Sequence, residues 1–330
     1  MVRFGPREQP VVFGDYYGSV FPTFSLTIAL CAATSPPGQP TEGPAGSDYA
    51  YAAVQTSAHG GGDGRYWLYE PADPAPASAP VVLYLHGYGA LDPSPYEAML
   101  NHVARKGFTV VYPRYGWFWN PWEYEQNAIN SLRNALDRLE EPGHVAPELE
   151  HFAVAGHSLG GILSLRIANR VVSEGLPVAR AIVLHDGAGA ITPAYPFMPL
   201  DDLDQIDASA YLVVVIAESS SDDENALGVV RRAWLNTPQI ARDQRNGLLV
   251  RSDDYGEPDL VSDHLGVNGP LVDAVDWFGY WKPTVAILHA AFYGTDAEHV
   301  LGEGPEVREM GSWSDGEPVV KIGVASDLGY

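Results

Sequence analysis

The stretch Ala153-Val154-Ala155-Gly156-His157-Ser158-Leu159-Gly160-Gly161-Ile162 carries a short apolar run into a helix-like one through a tight, glycine-rich turn with a serine at its corner. Upstream of that corner, residues 151–155 have the continuous apolar character of a buried strand; downstream, Ile162, Leu163, Leu165, Ile167 and Ala168 mark an apolar helix face. A chain that passes from strand to helix so abruptly strains the residue at the corner and admits only small neighbours, which Gly156, Gly160 and Gly161 supply. Ser158 is then held out at the top of a sheet, at a helix N-terminus whose free N–H groups favour a developing negative charge. It is the candidate nucleophile.

Outward from this turn, strand-like and helix-like segments alternate. Two strand-like runs, residues 49–57 and 65–70, flank a Gly60–Gly64 turn and predict a hairpin. The run Val81-Val82-Leu83-Tyr84-Leu85 is apolar throughout, as a strand covered on both faces must be. Helices are expected near residues 95–106, 124–140, 160–174 and 227–235, and further strands at 108–112, 152–155, 180–184, 211–217 and 247–251. Such alternation predicts right-handed crossovers and an α/β fold: a central, mostly parallel sheet with helices on both faces. Nothing divides residues 47–330 convincingly, so one domain is expected there, preceded by an extension over residues 1–46.

In sheets of this kind ligands bind beyond the carboxyl ends of the strands, so the loops leaving them are where reactive groups are sought. The strand ending at Leu85 runs into His86-Gly87-Tyr88-Gly89, and the backbone N–H groups of Tyr88 and Leu159 are the candidate oxyanion donors. A base is expected after the last predicted strand, where His264 stands in Ser262-Asp263-His264-Leu265-Gly266. The later His289 and His299 fall on an apolar helix and in the tail; His157 lies inside the turn and reads as a packing residue, and His185 follows an earlier strand. The acid is expected in Glu218-Ser219-Ser220-Ser221-Asp222-Asp223-Glu224, at Asp223 first and Asp222 second, with Asp186 as the alternative one strand earlier. The aromatic stretch from Tyr112 to Trp122 is too apolar for an ordinary exposed loop; it walls a substrate pocket, through Trp117 and Trp119, or covers the sheet edge.

With Ser158, the carboxylates near residue 222 and His264 in this order, the chain resembles the α/β-hydrolase superfamily over most of residues 50–290. Gly-His-Ser-Leu-Gly-Gly and the His-Gly-Tyr-Gly loop look like those of bacterial lipases and esterases, including the cutinase-like and dienelactone-hydrolase-like branches. The resemblance implies a carboxylic ester hydrolase working through an acyl-enzyme on Ser158, with a lipid, polyester or small-molecule ester as substrate. It implies no cofactor. An acyltransferase or peptidase of the same fold, and a secreted binding protein with a vestigial triad, are the other readings.

Composition narrows the rest. A net charge of −23, with Lys106, Lys282 and Lys321 the only lysines, disfavours binding to phosphate backbones, so no nucleic-acid partner is expected. Cys31 is the single cysteine, and the chain has no H-E-x-x-H or C-x-x-C spacing, so neither a disulfide nor a metal centre is expected. Residues 24–30 form an apolar run too short to span a bilayer, followed by Cys31 and a Ser/Pro/Gly-rich tract. That order resembles the end of an export signal, so a secreted or cell-envelope protein is expected, with lipid attachment at Cys31 as one form of it.

Overall fold

The computed structural model describes residues 34–117, 120–187, 198–269 and 271–329, with the side chains of 224 and 225 excepted. Nine strands form one sheet: β1 (Ala53–His59), β2 (Tyr66–Ala72), β3 (Ser78–Leu85), β4 (Thr109–Pro113), β5 (Ala146–His157), β6 (Ala179–His185), β7 (Tyr211–Ala217), β8 (Arg245–Val250) and β9 (Gly323–Val324). Their order is β1-β2-β4-β3-β5-β6-β7-β8-β9. The strands from β3 to β8 run parallel; β2 is antiparallel to β4, and the outer β1 and β9 are antiparallel to their neighbours. The mixed sheet with helices on both faces is the α/β architecture that the strand pattern predicted, and it is the α/β-hydrolase fold that the resemblance implied.

Alternation along β3 shows why its run had to be apolar throughout. Val81, Leu83 and Leu85 point to one face and pack with α2 (Tyr124–Leu139), α3 (Leu159–Arg170) and α4 (Glu224–Leu235) through Ile129, Leu163 and Val229. Val82 and Tyr84 point to the other face, against α1 (Glu97–Arg105) and α5 (Lys282–Tyr293), through Met99, Val103 and Ile287. Each face therefore has its own core, and at about 25 cal/mol per Å² of apolar surface removed from water these two layers are the main stabilising term.

One boundary differs from the sequence reading. The compact unit begins at Thr34, not at residue 47. Residues 34–46 have no regular structure but are packed: Ala45 is buried, the Pro44 carbonyl meets His102 Nε2 at 2.9 Å, and the Gly43 carbonyl accepts from Lys106 Nζ at 2.8 Å. Composition reads such a tract as a tether; its own carbonyls, taken up by side chains of α1, hold it down. The tail beyond residue 277 completes the second layer of the core. Lys282 Nζ donates to the carbonyls of Glu306, Val307 and Glu309, and the buried Trp313 donates its indole N–H to Asp253 at 3.1 Å. The expected export segment and Cys31 lie outside the described residues. Among the described residues no helix is long and apolar enough to cross a membrane.

Among the described glycines, Gly160 and Gly156 of the turn after β5 are the most closely approached. A Cβ on Gly160 would come within 2.0 Å of the Leu85 carbonyl oxygen, and one on Gly156 within 2.2 Å of the Gly160 carbonyl oxygen. Gly160→Ala is thus expected to lower stability by at least about 3 kcal/mol, because rigid backbone must shift. Gly61→Ala, in the hairpin turn with nothing within 4 Å, is expected to stay within about 0.5 kcal/mol of the parent. Urea denaturation of the two variants side by side checks this, and comparable midpoints would contradict the packing argument.

Candidate active site

Three of the five described non-glycine residues at positive φ sit just past the carboxyl ends of parallel strands in the middle of the sheet: Tyr115 (37°) after β4, Ser158 (55°) after β5 and Asp186 (44°) after β6. Strain of this kind costs roughly 1–3 kcal/mol per residue and persists only where packing dictates it. Here it brings functional groups to one place. At the end of the parallel β5–β6 ladder His157 lies opposite His185, so the next residues, Ser158 and Asp186, emerge side by side at the top of the sheet.

His264, in the long loop after β8, reaches both. Its Nε2 lies 3.0 Å from Ser158 Oγ and its Nδ1 2.6 Å from Asp186 Oδ2. A carboxylate can only accept, so Nδ1 carries the proton and Nε2 is bare toward the serine hydroxyl. Ser158 and Asp186 are buried, while His264 is about one-third exposed and opens to solvent. Asp186 takes two further hydrogen bonds, from Ser220 Oγ at 2.6 Å to Oδ2 and from the Ala217 N–H at 3.3 Å to Oδ1.

The carboxylate at the imidazole is therefore that of Asp186, and the expectation for Asp223 or Asp222 is corrected. Both ring nitrogens of His264 are already engaged by Ser158 and Asp186. The acidic run serves as a turn and helix start instead. The Glu218 carboxylate accepts from the Ser252 N–H, Asp222 is exposed, and the Asp223 carbonyl accepts from Leu227 N–H as α4 begins. What this loop contributes to the site is Ser220, a residue the sequence reading passed over.

The loop after β3 approaches the same point. Gly87 leaves no room for a side chain: a Cβ there would lie 3.0 Å from Tyr96 Oη and 3.3 Å from Ser158 Cβ. Tyr88, which follows it, and Leu159, the first residue of α3, line one small cleft together with His86, Tyr115, Trp117 and Tyr124. As the first helical residue, Leu159 has an N–H with no intrahelical acceptor, as an oxyanion donor requires. The aromatic stretch after β4 forms part of the cleft wall and is pinned from beneath. The Tyr115 ring stacks on His86 with centroids 4.0 Å apart, its hydroxyl donates to the His86 carbonyl at 2.5 Å, and Tyr124 donates to the Trp117 carbonyl at 2.6 Å. Trp117 is thus placed at the cleft; Trp119 lies outside the described residues.

Three other histidines are buried near the site. Burial holds the imidazoles of His157 and His185 down to about 3 and that of His86 to about 4, so all three are neutral at physiological pH. Away from Ser158, His264 and Asp186, the side chains of Asp296, Glu298 and His299 bring ligand atoms within 4.8 Å of one another. Asp296 already accepts from His289 Nδ1 at 2.6 Å, an ordinary surface pairing.

Comparison with known proteins points the same way. A family model described as Chlorophyllase matches residues 71–192, a range that holds the loop after β3, the Ser158 turn and Asp186, and stops before His264. Chlorophyllase-2 of Arabidopsis thaliana is 29% identical over 147 residues, which is 41% of this chain and 45% of that protein. The chain thus matches less than half the length of this curated relative. These likenesses support the superfamily and not the narrower cutinase-like or dienelactone-hydrolase-like branch. The strand order, the strained serine after β5 and the matched region agree, and the chain has the α/β-hydrolase fold.

Proposed function

We propose that the protein is a serine hydrolase of carboxylic esters. One observation carries this reading: the unbroken line Ser158 Oγ, His264 Nε2, His264 Nδ1, Asp186 Oδ2, with steps of 3.0 and 2.6 Å. Ser158 attacks the acyl carbon while its proton passes to His264 Nε2; the imidazolium so formed is stabilised by Asp186, which keeps its own charge. The oxyanion is held by the N–H groups of Tyr88 and Leu159. His264 then returns the proton to the leaving alcohol, and water, deprotonated by the same nitrogen, releases the acid from the acyl-enzyme.

The likeness to a chlorophyllase supports an ester in preference to an amide, and it names chlorophyll, itself a carboxylic ester, as one compound to test. The aromatic wall around Trp117 favours a substrate with a large apolar part next to the scissile bond. Purified protein is expected to hydrolyse p-nitrophenyl esters of short or medium chain and to label with a fluorophosphonate at Ser158. Incubation with chlorophyll decides the narrower substrate, and added alcohol or amine separates hydrolysis from acyl transfer by its products. Folded protein that neither turns over any ester nor labels at Ser158 defeats the reading and favours a binding protein with a vestigial triad.

A further inference from the structure

A second chain of hydrogen bonds runs behind the triad and ties the loop after β3 to the loop after β8. His157, directly before Ser158 and 1% exposed, has its Nε2 2.7 Å from the backbone carbonyl of His264 and its Nδ1 2.8 Å from Tyr96 Oη. Tyr96, also buried, accepts the N–H of Gly87 at 2.8 Å on the same oxygen. The polarity of every link follows from its ends. A carbonyl only accepts, so His157 Nε2 carries hydrogen; a neutral imidazole then has a bare Nδ1, which must accept the single hydrogen of the Tyr96 hydroxyl; the tyrosine oxygen keeps its lone pairs for Gly87.

We propose that Tyr96 and His157 are positioning residues that couple the oxyanion loop at Gly87 to the loop of the reacting histidine at His264 through this one-directional relay. The proposal rests on the hydrolase reading and deepens it. Neither residue touches substrate. Gly87 immediately precedes Tyr88, the oxyanion donor, and the His264 carbonyl belongs to the base itself, so the relay fixes the distance between the point where negative charge develops and the point where the proton is received. The buried surroundings suit the assignment: burial keeps His157 neutral and raises the Tyr96 hydroxyl well above the usual tyrosine range, so neither end of their shared hydrogen bond ionises at working pH. The His157 and His264 rings lie 5.0 Å apart, and a charged His157 would oppose the imidazolium formed during catalysis.

The test has one arm without substrate and one with it. In the resting wild type, nitrogen NMR of the histidine side chains is expected to show His157 protonated at Nε2 and bare at Nδ1, and Gly87 is expected to be slow in amide exchange and to become fast in Tyr96→Phe. In kinetics, Tyr96→Phe is expected to lower kcat by about 10- to 100-fold, as misplaced oxyanion donors do, with KM changed by no more than about twofold. His157→Gln, which can still donate to the His264 carbonyl, is expected to recover at least about tenfold of the kcat lost in His157→Leu. The Nδ1–H tautomer in the wild type, or a folded Tyr96→Phe with unchanged kcat, overturns the relay. Failure of the hydrolase reading is distinct from this, since it appears as a wild type without turnover or labelling, whereas tautomer and amide exchange are read without any ester.

Discussion

Ser158→Ala is expected to reduce ester turnover by about 10⁴- to 10⁶-fold, the range over which serine hydrolases lose activity when the nucleophile is removed. Among the described residues the hydroxyl that meets His264 Nε2 is that of Ser158, at 3.0 Å, so its removal takes away the group that would form the acyl-enzyme. The protein should nevertheless stay folded. Position 158 sits at φ 55°, which alanine tolerates no better than serine but no worse, and the amide of residue 158 keeps its bond to the His185 carbonyl at 3.0 Å. The freed His264 Nε2 belongs to a side chain that is about one-third exposed, so water replaces the lost partner. Removing Ser158 and His264 together should cost little more than removing either, because the two act as one unit. Steady-state kinetics with a thermal melt of each variant reads both halves; more than about one percent residual kcat/KM in Ser158→Ala would place the nucleophile elsewhere.

The parts of the site that follow from local constraints were legible in the sequence. Gly156, Gly160 and Gly161 around Ser158 are demanded by backbone contacts as short as 2.0 Å, and such demands leave small residues at fixed offsets that can be read directly. Apolar runs such as Val81–Leu85 announce a strand covered on both faces, which is why the sheet was legible too. The acid was not, because its choice depends on which strand neighbours β5 in the sheet. A run of four carboxylates after β7 outweighed a single Asp186 after β6 on composition, yet the register that sets His157 opposite His185 puts Asp186 beside Ser158. Ser220, Tyr96 and His157 escaped for a related reason. Each acts by orienting another polar group across 34 to 107 residues of sequence, and no periodicity or motif encodes such a partner. Residues 34–46 misled in the opposite sense: a Pro/Gly-rich composition signals the lack of helix or strand, not the lack of packing.

The assignment of the acid has the second large consequence. Asp186→Asn is expected to lower kcat by about 10⁴-fold, whereas Asp222→Asn and Asp223→Asn should each leave it within about threefold. The carboxylate of Asp186 accepts from His264 Nδ1 and so forces the tautomer whose bare Nε2 faces Ser158. An asparagine amide can turn its NH₂ toward Nδ1, and the stable arrangement then puts hydrogen on Nε2, where it opposes the serine hydroxyl and cannot receive its proton. The N–H of Ala217 reinforces that outcome: it can only donate and meets Oδ1, so it keeps the amide oxygen there and leaves the NH₂ in the place of Oδ2 beside the imidazole, where the Ser220 hydroxyl can turn to accept from it. Ser220→Ala should then give an intermediate loss of about tenfold, because Asp186 keeps its charge but loses one of the bonds that aim it. Kinetics on the four variants, each matched by a melt, separates the readings: an Asp223→Asn loss as large as that of Asp186→Asn would mean that the acidic loop reaches the imidazole during turnover, and a mild Asp186→Asn would remove this carboxylate from the mechanism.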